Sequence, residues 1–226
     1  MVVSLYAQES VLFAVGGLFD SGVDNPSIEA AITKVFGSEN LNWIARQAVQ
    51  KHGGSGFIEE YAAPRFYRDA PVMPIFEGAN EILLSQVIAD LTLKRLREEV
   101  WPKQSSSLKN RTLFEEPESP DSPLFYEILM ANEAVALLDM VGQDLDKSFA
   151  SKEAKKDPQN QSYFMAFGQM VVDLFALTST LSRTLRRLEK GYESDLEVKV
   201  TKVLAFEAMK RIQDKASLIL GSVAHR

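Results

Sequence analysis

The chain has 226 residues, 31 acidic against 25 basic side chains for a net charge of −6, no cysteine and two histidines. The negative balance argues against a general nucleic-acid binder, which needs clustered positive charge. The missing thiols exclude disulfides, thiol catalysis and iron–sulfur ligation, and His52 and His225 alone leave little for a zinc site or a Ser/His/Asp triad.

The length fits one large domain or two of about 100 residues each, and the composition shifts favour two. No apolar run is read as approaching the roughly 18 residues that span a bilayer. Met1-Val2-Val3-Ser4 lacks a basic start and a signal core, so a soluble, intracellular protein is expected.

Helical signals dominate and no run of period-2 alternation stands out, so the fold class is all-α. A first helix is predicted over Val3 to Phe19, with Gly16-Gly17 marking a close helix contact. Asp24-Asn25-Pro26-Ser27 reads as the polar start, with proline in the first turn, of a helix running to about His52. Its buried face is drawn from Ile28, Ile32, Val35, Phe36, Trp43 and Val49, with Gly53 as left-handed cap. An irregular stretch holding Pro64, Pro71 and Pro74 follows, then a third helix from Gly78–Asn80 to about Val100.

Prolines and serines over 101–123 predict a linker or surface-hugging segment between a first domain, 1–100, and a second, 124–226. The second reads as three helices over 124–150, 163–190 and 195–220, divided at 151–161 and at Gly191-Tyr192. Phe164, Phe167, Val171, Leu174, Thr178, Leu181, Leu185 and Leu188 step by three and four along the middle helix, as a packing seam does. Arg183, Arg186, Arg187 and Lys190 share one face, either solvated or set against anionic headgroups.

The segment from Asp69 to Leu83, DAPVMPIFEGANEIL, carries the strongest chemical signal. Glu77 follows Val72, Met73, Ile75 and Phe76 and precedes a glycine and a helix start. An apolar setting would raise its pKa toward that of a general base, and Gly78 would let a substrate or cofactor approach the backbone. The same position also suits an ordinary acid at a helix N-terminus. Spacing alone leaves both readings open.

Three segments, SIEAAITKVFGSE (27–39), VQKHGGSGF (49–57) and RFYRDAPVMPIFEGANEIL (65–83), occur in an order and spacing that resemble the C-terminal helical domain of acyl-CoA dehydrogenases over roughly residues 1–95. VVDLFALTSTLSRTLRRLEKG (171–191) is similar to the extra helical domain of the family's very-long-chain branch, to which family member 9 is closely related. The resemblance implies that Glu77 removes the α-proton of an acyl-CoA thioester while the β-hydrogen leaves as hydride to FAD, introducing a trans-2 double bond. It also implies FAD contacts from Gln50, Lys51, His52, Gly53 and Gly54, toward a neighbouring subunit, and from Ala79, Asn80 and Glu81. Gly78 is implied at the substrate.

Two positions depart from the family pattern: Ala79 stands where threonine is usual and Leu84 where arginine is common. Arg68 and Asp69 are read as an ion pair or cap fixing the segment before Glu77. The resemblance further implies a long-chain acyl-CoA substrate, electron-transfer flavoprotein as partner, a homodimer and possible peripheral membrane contact. It places the protein at the mitochondrial matrix or inner-membrane face in a eukaryote, and in the cytoplasm of a bacterium. Family enzymes supply most of the acyl pocket from domains before the matched part, so this chain is expected to carry only part of an active site. The alternative is a non-catalytic helical assembly module that kept the fold.

Overall fold

The computed structural model describes residues 1–103, 112–149, 151 and 157–223, and these contain helices and turns with no strand. Helix α1 (Val2–Asp20) buries Ala7, Val11 and Val15, and α2 (Ser27–Lys51) buries Ile28, Ile32, Val35 and Phe36 against it. Pro26 occupies the cap of α2 itself, and no side chain closes that end. Trp43 is 44% exposed and Val49 half-buried, contrary to expectation. Apart from Ala45, every buried residue of α2 falls within 28–38, so helical period identifies the stripe but not how far a partner covers it.

The close contact expected at Gly16-Gly17 is absent: both are exposed, and a Cβ on either would meet nothing within 4 Å. Pro64 and Pro71 of the expected irregular stretch sit instead in a short helix, α3 (Ala62–Asp69), and a 3-10 turn over Ala70–Val72, while Pro74 lies in the turn that follows. Pro64 falls in the first turn of α3, where its missing N–H has no intrahelical partner to lose.

A helical run over 80–100, α4, starts where expected. Within it Asn80–Ile82 and Asp90–Arg95 are α-helical, while Leu83–Ala89 and Leu96–Val100 widen to π turns. Part of the expected linker, 104–111, lies outside the described residues. Beyond it Asn132 Oδ1 accepts the Leu113 and Phe114 N–H groups at 2.9 and 3.2 Å, pinning the chain to the next helix.

Three long helices complete the fold: α5 (Phe125–Ser148), α6 (Pro158–Glu189) and α7 (Asp195–Val223). Residues 152–156 of the divider before α6, and His225, lie outside the described residues. Helix α6 begins five residues before the expected Tyr163, because Asp157 Oδ1 accepts the Gln159 N–H at 2.9 Å with Pro158 in the first position.

Helix α6 is the axis of the molecule, contacting α1, α2, α4, α5 and α7. Phe167, Met170, Val172, Ala176, Leu177 and Leu181 are wholly buried, whereas Leu174, Thr178, Leu185 and Leu188 of the predicted seam are half-buried. The helix is therefore enclosed on several sides instead of packing along one stripe. A single cluster runs from Val11 and Ile32 through Ile88 and Leu93 to Val141, Phe167 and Ile212, so the core is continuous across 101–123.

Helices α1 and α6 are, by length and composition, long and apolar enough to cross a membrane, with window mean hydropathies of 1.5 and 1.4, so the expected lack of such runs is corrected. The α6 window is 67% buried inside the fold, as a core helix is, against 22% for α1. The basic face of α6 is also partly occupied. Arg183 pairs with Glu9 at 3.1 Å and lies over the Tyr6 ring, while Arg187 pairs with Glu197 at 3.1 Å.

Candidate active site

The apolar run Val72, Met73, Ile75 and Phe76 ends in a tight reversal. The N–H groups of Ile75 and Phe76 both bond back to the Val72 carbonyl, at 3.0 and 3.1 Å. Glu77 and Gly78 then take left-handed conformations in succession, φ +55° and +99°. Glycine adopts such angles freely, but a glutamate there stores about 1–2 kcal/mol. The reversal ends as α4 begins: the Asn80 N–H reaches back to the Pro74 carbonyl at 2.9 Å.

The geometry sets Glu77 outward. It is exposed, as are Val72, Ile75, Phe76 and Ile82 around it, so this chain does not itself provide the apolar enclosure expected of the carboxylate. Nor does Glu77 sit inside the first turn of α4: Ala79 is the residue at the helix cap, and Glu81 is the first-turn acid.

Asn80 was expected on the cofactor side, but its side chain points into the fold and is 3% exposed. Its Nδ2 donates to Ser38 Oγ at 2.9 Å and Glu39 Oε1 at 2.7 Å, and its Oδ1 accepts from Lys34 Nζ at 2.7 Å. Lys34 also donates to the Gly78 carbonyl at 2.7 Å and the Pro74 carbonyl at 3.3 Å. Desolvation holds the Lys34 pKa below its usual value, opposed by the nearby carboxylates of Glu39 and Glu81. Lys34, Ser38 and Glu39 were not singled out from sequence. Their signal is a lysine four residues from a serine on one helix face, beside an apolar stripe.

The glycine-rich loop stands elsewhere. Gln50, Lys51, His52, Gly53 and Gly54 are exposed at the C-terminal end of α2. Gly53 is left-handed at φ +57°, as expected of the cap, and a Cβ on Gly53 or Gly54 would meet nothing within 4 Å. Gly56 differs: a Cβ there would stand 2.9 Å from the Val49 carbonyl carbon. His52 Nδ1–H donates to the Ala48 carbonyl at 2.7 Å, which makes it part of the helix end. Lys34 and Gln50 are sixteen residues apart on one helix, about 24 Å along its axis. The loop and the Glu77 turn are thus two separate surfaces of this chain.

The expected pairing of Arg68 with Asp69 does not form; Arg68 bonds Glu59 across the loop instead. The segment before Glu77 is held by Asn42, whose Nδ2 donates to the Ala70 carbonyl at 3.1 Å. Leu84, one of the two family departures, is buried in the core, while Ala79 is half-buried beside the turn.

Residues 1–92 match the model of the family described as acyl-CoA dehydrogenase, C-terminal domain. A probable acyl-CoA dehydrogenase of Bacillus subtilis is 29% identical over 96% of this chain and 39% of its own length. The mitochondrial very long-chain specific acyl-CoA dehydrogenase of Mus musculus is 27% identical over all of this chain and 37% of its own. The crystal structure of an acyl-CoA dehydrogenase complexed with FAD from Bacillus anthracis superposes with a TM-score of 0.83 at 26% identity, covering 98% of this chain and 41% of that one. The chain thus spans about two fifths of the length of the proteins it matches. Residues 1–92 thus match the C-terminal domain of acyl-CoA dehydrogenases, and the chain along its length is similar to members of that family.

Proposed function

We propose that this chain is the C-terminal portion of an FAD-dependent acyl-CoA dehydrogenase acting on long-chain acyl-CoA thioesters in fatty acid β-oxidation, with Glu77 as the acceptor of the substrate α-proton. The observation that carries this reading is the turn itself. A lone carboxylate is held outward on a strained left-handed residue, ringed by exposed Val72, Ile75, Phe76 and Ile82. Covering that apolar ring with the family's preceding domains would desolvate Glu77 and make it a stronger base. Gly78, without a side chain, leaves room for the thioester beside it.

FAD fits the residues present. Gly53 and Gly54 expose backbone to close approach, and Gln50 and Lys51 stand free beside them for polar contacts to a pyrophosphate. Held there, FAD would supply the acceptor for the substrate β-hydrogen, which leaves as hydride. The resemblance implies that this loop serves an FAD shared with a second copy of the chain, as in a homodimer, and its separation from the Glu77 turn along α2 is compatible with that. Ala79 and Glu81 flank the turn where the cofactor is expected, while Asn80 acts through the backbone it fixes. Electron-transfer flavoprotein is the proposed acceptor of the electrons.

The Leu84 departure does not favour the alternative of a non-catalytic assembly module. As a core residue it removes no charge from the exposed surface, so that departure does not weaken cofactor binding. The test is to purify the chain alone, and together with the preceding portion of its Bacillus subtilis relative, and record flavin absorbance with FAD and palmitoyl-CoA. Retained flavin that bleaches on thioester addition in the assembled pair supports the proposal. A pair that forms but keeps no flavin overturns it.

A further inference from the structure

We infer that Lys34 is the positioning residue for Glu77, a single ammonium on α2 that closes the left-handed turn from which the carboxylate projects. This rests on the role proposed for Glu77. Positive φ at a glutamate persists only where the surroundings over-determine it. Here the determinant is one side chain 43 positions away in sequence.

The three N–H donors of Lys34 meet three acceptors: the Pro74 carbonyl before Glu77, the Gly78 carbonyl after it, and the Asn80 side-chain oxygen at the helix start. The ammonium therefore ties both ends of the reversal to α2, and its donors are all used. Asn80 is oriented for this by Ser38 and Glu39, which take its amide hydrogens. Glu39 thus engages Asn80 and leaves the lysine to the turn. A planar guanidinium has its donors in a fixed fork and does not reproduce three convergent contacts, which makes Lys34→Arg a poor substitute.

The chain contains no cysteine, so Lys34→Cys introduces a single thiol that 2-bromoethylamine converts to a lysine analogue with sulfur in place of one methylene. Amide hydrogen exchange on the full 226-residue chain reads the turn through Phe76 and Asn80, whose N–H groups bond across it. Lys34→Met and Lys34→Cys are expected to speed exchange at both about tenfold, leaving Val141 in the core unchanged, and aminoethylation is expected to restore protection. Unaltered exchange at Phe76 and Asn80, or no recovery on aminoethylation, overturns the clamp.

In the pair assembled with the preceding domains, Lys34→Met is expected to lower kcat about 10- to 100-fold with KM for palmitoyl-CoA within about threefold, the pattern of a misplaced base. Unchanged kcat overturns the positioning role. If the unsubstituted pair shows no turnover, the proposed function fails while the exchange measurement still decides the clamp.

Discussion

Gly168 on α6 lies against the backbone of Leu84 on α4, so closely that a Cβ at position 168 would stand 2.9 Å from the Leu84 carbonyl carbon. The contact joins the core helix directly to the helix that begins at the Glu77 turn. Gly168→Ala must push two backbones apart and is expected to cost about 1–3 kcal/mol. Gly16→Ala and Gly17→Ala, in a helix with open space around both, are expected to gain up to about 1 kcal/mol each. Urea denaturation of the three variants checks the opposite signs.

Asp173, 2% exposed on α6, accepts a charge-assisted hydrogen bond at its Oδ1 from Arg211 Nε at 2.9 Å, while its Oδ2 has no hydrogen-bond partner. Burial raises its pKa above the ordinary 3.8, with Arg211 acting in the opposite direction. The folded state therefore holds this proton more tightly than the unfolded state. Stability contributed by the group is full below the unfolded pKa and is lost as pH rises through the folded one. Asp173→Asn keeps an oxygen for Arg211 and removes the titration. The stability difference, variant minus native, should increase from about pH 3.8 upward and then level off. A flat difference across that range contradicts the assignment.

Much of this fold was legible because local chemistry and tertiary packing agree. The extent of α1, the period of α2, the Gly53 cap and the start of α4 all follow from spacing and punctuation. The misses occur where a local rule met a non-local partner. Pro64 reads as part of an irregular stretch but sits where a first turn tolerates it, and Trp43 keeps the period of α2 but lies outside the segment that its partners bury. Glycine spacing marked Gly16-Gly17 as the close contact, yet only the crossing of α4 and α6 reveals Gly168. At the candidate site, Glu77 stood out by its apolar neighbours. Its left-handed backbone and its link to Lys34 did not, because both are fixed by contacts across more than 40 residues.

The strain at Glu77 separates fold from chemistry. Glu77→Gly removes the carboxylate but relieves a positive φ, so stability is expected to stay level or rise by up to about 1 kcal/mol. Glycine's looser unfolded chain offsets part of that gain. A loss of more than about 2 kcal/mol in thermal or urea unfolding would mean that the side chain supports the turn.

In the proposed function Glu77 takes the substrate proton, and Glu77→Gln tests this with the shape preserved and the base removed. The measurement is anaerobic rapid mixing of the assembled flavoprotein pair with palmitoyl-CoA, following the rate of flavin bleaching. The Gln variant is expected to retain flavin and bind the thioester but to bleach slower by about 10³-fold or more. Bleaching at the unsubstituted rate would contradict it.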